Sequence, residues 1–265
     1  MANLFYPQLT SGALAQYPIR KVRLARTVKN VLPDGSMILY SDPNGAQLLW
    51  QLSYAELSDV DVQALQAHFA ACVGPFHAFT FIDPTDNMLV SSSDMTTSPW
   101  QTASLIHVAT GATDPTGGTG AFTVSNTGQA NQEITQILQV PSGYQYCFSI
   151  FATSTNPSAI TMIRQGSVAQ EQASVSIGPN WTRVVSTGAL SDSGVGFTIG
   201  ISLAPGQQVQ LYGPQLEAQL VPSRYRPTAE AGGVYANAHW GTDQLAFTAD
   251  APNLSSTAFS IETAL

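Results

Sequence analysis

The chain has 265 residues, of which 44% are hydrophobic and only 10% are charged, and its formal net charge is −8. The hydrophobic content is enough for packed cores and argues against a disordered chain. The negative charge argues against general nucleic-acid binding. Because charged residues usually make up about a quarter of a protein, this surface must consist of Ser, Thr, Gln, Asn and Gly. Such a surface is typical of β-sheet proteins and of subunits that bury much area against neighbours.

Neither a secretory signal nor membrane insertion is predicted. The first residues, MANLFYPQLTSG, lack a basic segment followed by a long apolar run, and no stretch of 18 apolar residues occurs. We therefore expect the protein to be made and kept in a cytoplasm unless a larger assembly carries it out. Cys72 and Cys147 fall in different predicted domains, so no structural disulfide is expected.

The N-terminal region is predicted to form a small antiparallel sheet. Residues 17–30 and 36–41 are predicted strands joined by the turn Pro33-Asp34-Gly35. Asp42-Pro43-Asn44-Gly45 predicts a second hairpin turn, followed by a third strand over residues 46–52.

Five of the nine Lys and Arg residues lie in one decade: Arg20, Lys21, Arg23, Arg26 and Lys29. Lys21 and Arg23 alternate with Val22 and Leu24, as on a strand whose apolar face is buried. One interpretation is a solvated face or a sheet edge guarded by charge. The other is a contact ridge for an acidic surface on another copy of the chain, with Arg20, Lys21, Arg23 and Arg26 at the subunit interface.

One helix is predicted after this sheet. Ser58 is a candidate N-cap and Asp61 completes a capping box, while Gly74-Pro75 ends the helix. Its apolar stripe is predicted to consist of Val62, Leu65, Phe69 and Cys72, which makes Cys72 a buried thiol. Asp59 and Asp61 are interpreted as first-turn charges that oppose the helix dipole rather than as an acid/base pair.

A shift in composition divides the chain. Residues 89–225 carry 9 charged side chains, against 17 in the 128 flanking residues. We therefore predict a mainly β protein in which one domain, residues 1–88 plus 226–265, is interrupted by an inserted β-sandwich of jelly-roll type, residues 89–225. The outer domain is predicted to be a small sandwich or barrel with one helix. Strands are predicted over residues 76–83, 144–153, 160–164, 173–177, 181–186, 196–203, 208–213, 234–239, 244–248 and 259–263.

No catalytic motif is found, and we predict that the protein is not an enzyme. The four histidines lack metal-ligand spacing, and no His-Glu-x-x-His, Cys-x-x-Cys or Gly-x-Ser-x-Gly occurs. The glycine-rich run over residues 114–120 lacks the Gly-Lys-Ser/Thr ending of a phosphate loop and is followed by a predicted strand, residues 121–124, rather than by a helix, so it is predicted to be a flexible loop. The insert's carboxylates show no obvious pair: Asp94, Asp114, Glu133, Glu171, Asp192 and Glu217. No cofactor is expected, apart from a structural calcium ion for which Glu217 is a weak candidate ligand.

Carbohydrate binding is the candidate function of the insert. Sugars pack their C–H faces on aromatic rings and bind amides and hydroxyls through their own hydroxyl groups, and the insert is rich in all three. Trp100, in a loop-like stretch, and Tyr212 are the candidate ligand residues. Trp181 is predicted to be a core residue at the start of a strand, and Tyr144 shares a face with residues expected to be buried.

Several stretches resemble a known family. In the outer domain, the stretches that show the resemblance are Asp34-Gly35, residues 49–54, the helix ending in Phe69, residues 79–84, residues 232–235 and residues 240–247. Together they resemble the core of a distal tail protein of a long-tailed (siphovirus-type) bacteriophage. The insert resembles the carbohydrate-binding-module-like jelly rolls of phage tail proteins, through residues 87–89, Trp100, residues 180–184, residues 211–217 and residues 225–228.

The resemblance implies a hexameric ring in the virion tail tip, assembled in the bacterial host cytoplasm, between the tail tube and the tail-tip hub. Its jelly rolls would project outward towards host cell-surface polysaccharide. Two alternatives remain open at this point. One is a free-standing adhesin or receptor-binding protein that recognises host glycans, and the other is a polysaccharide-degrading enzyme.

Overall fold

The protein is mainly β with one helix, as predicted. The computed structural model describes residues 4–265, and the chain forms two compact units. The first unit is Met1–Ile82 with Tyr235–Leu265, and the inserted unit is Asp83–Val234. In the part of the chain that the structure describes, no helix is long and apolar enough to span a bilayer.

The elements follow one another in chain order as follows. They are β1 (Arg20–Val31), β2 (Met37–Leu57), α1 (Asp59–Cys72), β3 (Phe79–Ile82), β4 (Gln101–Thr102), β5 (Ile106–Ala112), β6 (Ala121–Asn126), β7 (Gln132–Pro141), β8 (Tyr146–Thr153), β9 (Ser158–Gln165), β10 (Gln170–Ile177), β11 (Thr182–Gly188), β12 (Val195–Leu203), β13 (Gln208–Glu217), β14 (Val234–Trp240), β15 (Thr248–Ala251) and β16 (Leu254–Ala264).

The ends of the inserted unit lie outside the boundaries that composition suggested, 88/89 and 225/226. The reason is a set of hydrogen bonds centred on Asn87, whose side-chain amide donates to the carbonyls of Pro214 and Arg226. The hydroxyl of Thr228 donates to the carbonyl of Leu89 at 2.6 Å. Both connecting segments are therefore built into the inserted unit, although their composition resembles that of the flanks.

The first unit is built on one six-stranded sheet, in the order β1-β2-β16-β14-β3 with β15 paired to β16. The C-terminal strand β16 pairs with β2 from Ser255↔Leu57 to Ala264↔Gln47. The strand predicted over residues 259–263 is thus present, and it pairs with an N-terminal strand. Large apolar side chains on one face of the sheet, including Trp50, Phe81 and Trp240, are fully buried.

The helix begins as predicted, but its buried face is rotated by about one residue. Ser58 is the N-cap and forms the capping box with Asp61. The buried positions are Asp61, Leu65, His68 and Cys72, whereas Val62 and Phe69 are half-buried. Asp61 is buried because its carboxylate also accepts hydrogen bonds from the N–H and hydroxyl of Thr10, at 2.7 and 3.0 Å.

The predicted hairpin turn at residues 42–45 is wrong, because β2 continues through these residues. The register changes between Leu24↔Gln47 and Arg26↔Asp42, so four residues of β2 face a single residue of β1. This is a bulge, in which extra residues bend and twist one strand without ending it. A Cβ at Gly45 would lie 2.5 Å from the Cβ of Arg26, so this position requires glycine.

The one hairpin turn in this region lies at residues 32–36, as predicted. Leu32 donates its N–H to the carbonyl of Ser36 at 2.8 Å, and Gly35 has φ of 81°. The hairpin of β1 and β2 extends past the bulge, and every residue from Arg23 to Ser41 is exposed. We call residues 23–42 the arm.

The inserted unit is a sandwich of two five-stranded sheets, with the orders β10-β9-β12-β7-β4 and β11-β8-β13-β6-β5. The second of these is called the β8 sheet below. The six strands predicted over residues 144–213 are present, whereas β4, β5 and β7 had not been predicted. In β7, buried Gln136 interrupts the apolar alternation, because its amide binds the backbone N–H and carbonyl of Val90, both at 2.9 Å. The predicted strand over 244–248 is also displaced, since β15 begins at Thr248.

Candidate functional site

A cleft of about 730 Å³ opens in the inserted unit, beside the β8 sheet. It is lined by parts of β6, β8 and β13 and by the loops that end at β9, β11 and β13. The lining residues are Thr113, Thr123, Thr153, Ser154, Thr155, Asn156, Pro157, Ser158, Pro179, Trp181, Gly206, Gln207, Gln208, Val209 and Gln210. Most of these side chains are hydroxyls or amides, and the lining contains no Asp, Glu, Lys or Arg. The cleft therefore offers neutral hydrogen-bonding groups.

The floor of the cleft is a row of polar side chains across three strands. Gln210 of β13 pairs with Thr123 of β6 on one side and with Thr153 of β8 on the other. Apolar Val209 and Leu211, its neighbours along the strand, are buried. Because side chains alternate between the faces of a strand, this row lies on the face of the sheet that points away from the sandwich core.

The loops around the cleft are tied together by Gln207. Its amide nitrogen donates to the hydroxyl of Ser158 at 2.6 Å and to the carbonyl of Ala159 at 2.8 Å. Its amide oxygen accepts the N–H of Ala204 at 2.8 Å. The neighbouring loop is held by Thr153, whose hydroxyl donates to the carbonyl of Gly178. The walls of the cleft are thus held in place before any ligand binds.

Trp181 supplies the aromatic surface of the cleft. It immediately precedes β11, whose first residue Thr182 pairs with Ala152 of β8, and it is half-buried. The prediction that Trp181 is a core residue is therefore wrong. Its position one residue before the strand carries the indole onto the outer face, beside Thr153 and the loop that starts at Ser154.

Trp100, in contrast to Trp181, is buried. Only 8% of its surface is exposed, and its indole N–H donates to the carbonyl of Ser91 at 2.9 Å. The ring is packed in the inserted unit and is absent from the cleft lining. It offers no face on which a sugar could stack, so the structure favours Trp181 as the binding aromatic residue.

Tyr212 lies on the same outer face as the cleft floor, two residues from Gln210 along β13. It is half-buried and pairs across the strands with Phe151, at a ring-centroid distance of 6.1 Å. Its other ring neighbour is Tyr225, at 5.3 Å. Burial, with the nearby carboxylate of Asp114, raises the pKa of the Tyr212 phenol, which therefore remains a neutral hydrogen-bonding group at physiological pH.

Glu217, the candidate calcium ligand, is fully buried. Its carboxylate accepts hydrogen bonds from the amide of Gln219 and from the N–H and hydroxyl of Ser223, at 2.7, 3.0 and 2.5 Å. Within residues 4–265, no group of three or more His, Cys, Asp or Glu side chains is placed to hold a metal ion. The observed role of Glu217 is to fix the segment that follows β13.

Two other carboxylates of the insert organise loops. Asp114 accepts hydrogen bonds from the hydroxyl and N–H of Thr116 and from the N–H groups of Gly118 and Gly120. These donors hold the pKa of Asp114 at about 2, and they make residues 114–120 a closed, hydrogen-bonded loop. Asp192 similarly joins two loops through the N–H groups of Val168, Ala169 and Gly194. The prediction that the protein is not an enzyme stays a prediction.

The predicted interface residues all lie on β1 in the first unit. Lys21 and Arg23 pair with the buried residues Trp50 and Leu48, and the ammonium of Lys21 lies 5.6 Å from the Trp50 ring centroid. The expectation that the apolar neighbours form the buried face is wrong, since Leu24 is 42% exposed. Arg20 donates to Gln51 at 3.2 Å, and Arg26 lies 3.6 Å from the carboxylate of Asp42.

No family model and no curated protein matches the chain, but solved structures do. The enzymatically active domain of tailspike protein 4 from Bacteriophage CBA120 is similar over 53% of this chain, at 13% identity and a TM-score of 0.42. The match covers only 22% of that chain, so the protein spans less than a quarter of its length.

Carbohydrate-binding modules are also among the similar structures. The CBM22-1 xylan-binding domain of Paenibacillus barcinonensis Xyn10C matches 52% of this chain and 96% of its own length, at 15% identity and a TM-score of 0.42. The C-terminal family 22 module of Clostridium thermocellum Xyn10B matches 54% of this chain and 99% of its own length, at 19% identity and a TM-score of 0.43.

Proposed function

We propose that the inserted unit binds a neutral polysaccharide in the cleft beside the β8 sheet. The observation that carries this proposal is the combination of a half-exposed indole, Trp181, with a pre-organised lining of hydroxyl and amide side chains. The volume of about 730 Å³ is within the ordinary range of ligand sites, roughly 300–1,000 Å³. A lining without ionisable acids or bases suits an uncharged ligand.

The chemistry of a sugar matches the two kinds of surface in this cleft. The apolar C–H face of a pyranose can pack on the exposed part of the Trp181 ring. Its hydroxyls can exchange hydrogen bonds with Gln210, Thr123 and Thr153, which follow one another across the strands. Because Gln207 already fixes the surrounding loops, less conformational entropy is lost on binding.

The test is a binding measurement on Trp181→Ala with the full chain. Neutral polysaccharides are first screened on a glycan array, and the affinity of the best ligand is measured by isothermal titration calorimetry. Truncating a central aromatic anchor costs about 2 kcal/mol, which corresponds to a dissociation constant roughly thirtyfold higher. The matched control is Phe76→Ala, which removes a 74% exposed aromatic residue from the first unit.

Two results would count against the proposal. The first is that no neutral polysaccharide binds the wild-type chain. The second is that Trp181→Ala and Phe76→Ala bind the ligand equally well. Release of reducing ends from a bound polysaccharide would instead favour the enzymatic alternative.

The second part of the proposal is that the chain is a structural subunit of a ring at a phage tail tip, between the tail tube and the hub. The resemblance of the first unit to distal tail proteins supports it, and so does the exposed arm, because a free hairpin with apolar side chains needs a partner surface. A hexameric ring is the expected form. Native mass spectrometry tests this: six chains, or a multiple of six, is the expected mass. A monomer at every concentration would favour the free-standing adhesin.

A further inference from the structure

The arm exposes more apolar surface than a free hairpin can be expected to carry. Its exposed large apolar side chains are Leu24, Val28, Val31, Leu32, Met37, Ile38, Leu39 and Tyr40. Residues opposite each other in the register, such as Val28↔Tyr40 and Val31↔Met37, place these side chains on both faces of the hairpin. An isolated two-stranded hairpin is marginally stable in water, and exposed apolar patches mark interaction sites. The arm therefore requires a cover on each face.

The charges of the first unit are separated in space. All of its Lys and Arg residues lie between Arg20 and Lys29, on β1. Outside the arm, the unit carries six carboxylates and only two basic residues, Arg20 and Lys21, which lie on β1 next to the arm. Three of the carboxylates, Glu56, Asp59 and Asp250, are exposed at the end of β2 away from the arm.

Two contacts bring these three carboxylates to the same end of the sheet. Asp59 donates its backbone N–H to the side chain of Asn253 at 2.9 Å, in the turn between β15 and β16. Leu57, next to Glu56, pairs with Ser255, and Ser255 in turn pairs with Ala249, next to Asp250. We call Glu56, Asp59 and Asp250 the acidic end.

The arm cannot contact the acidic end of its own chain. Both lie on the continuous strand β2, which runs from Met37 to Leu57. At about 3.3 Å per residue, Glu56 lies roughly 25 Å along β2 from Leu48, the pairing partner of Arg23, and farther from the tip of the arm. Even the shorter distance is more than twice the screening length of about 10 Å at ordinary ionic strength. Charge complementarity between the two surfaces can only be realised between two chains.

We propose that the arm of one chain docks on the acidic end of the first unit of a second copy. Arg23, Arg26 and Lys29 of the arm face Glu56, Asp59 and Asp250 of the neighbour, and the apolar side chains on one face of the arm are covered in the same contact. The two surfaces are different, so the contact is head-to-tail, and repeated head-to-tail contacts close rings or extend filaments. This inference rests on the proposed self-association and names the two surfaces that form it.

The experiment uses two full-length variants with exposed substitutions. The arm variant is Arg23→Glu with Lys29→Glu, and the end variant is Glu56→Lys with Asp250→Lys. Self-association is measured by sedimentation velocity over a range of protein concentrations at low salt. Each variant alone is expected to raise the dissociation constant tenfold or more, because like charges then face each other.

Mixing the two variants gives the decisive result. In an equimolar mixture, the reversed arm of one chain meets the reversed acidic end of the other, and the wild-type arm meets the wild-type end. Association is therefore expected to return to within about threefold of the wild-type constant. The matched control is Arg224→Glu with Arg226→Glu, which applies the same charge change to exposed residues of the inserted unit and is expected to associate like the wild type.

The outcomes separate this inference from the proposed ring. A wild-type chain that stays monomeric at all concentrations overturns both the ring and the docking. A wild-type oligomer that neither variant weakens, or a mixture that does not recover, overturns the docking alone. Weakening by the arm variant without weakening by the end variant would indicate that two arms pack against each other.

Discussion

His68 provides a direct test of the packing in the first unit. Its side chain is 8% exposed and lies among the rings of Phe79, Trp240 and Tyr6, at centroid distances of 4.7, 5.7 and 5.8 Å. Burial lowers the pKa of His68 to about 4, from about 6.5 for an unperturbed imidazole. The folded protein therefore holds His68 neutral at a pH where the unfolded chain already binds a proton.

This difference makes the stability of the first unit depend on pH. Because the unfolded chain binds more protons between pH 6.5 and 4, the free energy of unfolding falls as the pH is lowered through this range. At about 1.4 kcal/mol per pH unit, the total loss is on the order of 3 kcal/mol, and the loss is complete below pH 4. His68→Phe removes the titrating group, so its unfolding free energy is expected to lack this component.

The assay is hydrogen exchange by mass spectrometry on peptides from α1, between pH 7 and pH 4, corrected for the intrinsic exchange rates. Peptides from β8 in the inserted unit serve as an internal control. At pH 7 the variant is expected to differ from the wild type by less than about 1.5 kcal/mol, because one ring replaces another of similar size. Equal pH dependence of the wild type and His68→Phe would refute the assignment of His68 to the core.

Two further predictions concern charge. The donors Val168 N–H, Gly194 N–H and Ala169 N–H lower the pKa of Asp192. The stability that Asp192 contributes is thus present above the unfolded pKa of about 3.9 and is lost as the pH falls below it. Asp192→Asn is expected to remove this loss of stability from thermal melts recorded at decreasing pH. Melts of Asp192→Asn with the same pH dependence as the wild type would contradict the prediction. Raising the salt from about 0.1 to 1 M shortens the screening length from about 10 to 3 Å. The added salt is expected to weaken self-association but to change the polysaccharide affinity of the cleft by no more than about twofold. Paired titrations in which salt weakens polysaccharide binding and leaves self-association unchanged would contradict the roles proposed for the cleft and the arm.

Much of the fold follows from local patterns in the sequence. The capping box of Ser58 and Asp61 fixed the helix start, because both side chains act within one turn. The turn at residues 32–36 was equally local. The apparent turn at residues 42–45 failed because the neighbouring strand β1 continues past it, so pairing across the sheet overrides the turn propensity of these residues.

The two tryptophans of the insert show why the site was harder to predict. Trp100 follows Ser-Pro in a stretch without periodicity, which suggests an exposed loop, yet Ser91 accepts its indole N–H and the ring is buried. Trp181 precedes a strand, which suggests a core position. One residue decides which face of a sheet a side chain occupies, and the start of β11 was defined only to within about that uncertainty.

Under the two proposals, the charge distribution gives the two units different modes of recognition. The cleft of the inserted unit is lined by neutral groups, so its specificity must come from hydrogen-bond geometry and from the Trp181 face rather than from long-range attraction. The arm of the first unit combines Arg23, Arg26 and Lys29 with bare apolar side chains, so charge can orient an incoming chain before apolar burial holds it. An assembly that closes through charge and apolar contact can therefore present many neutral clefts at once. Such multivalency raises the avidity for a repeating polysaccharide without strengthening any single site.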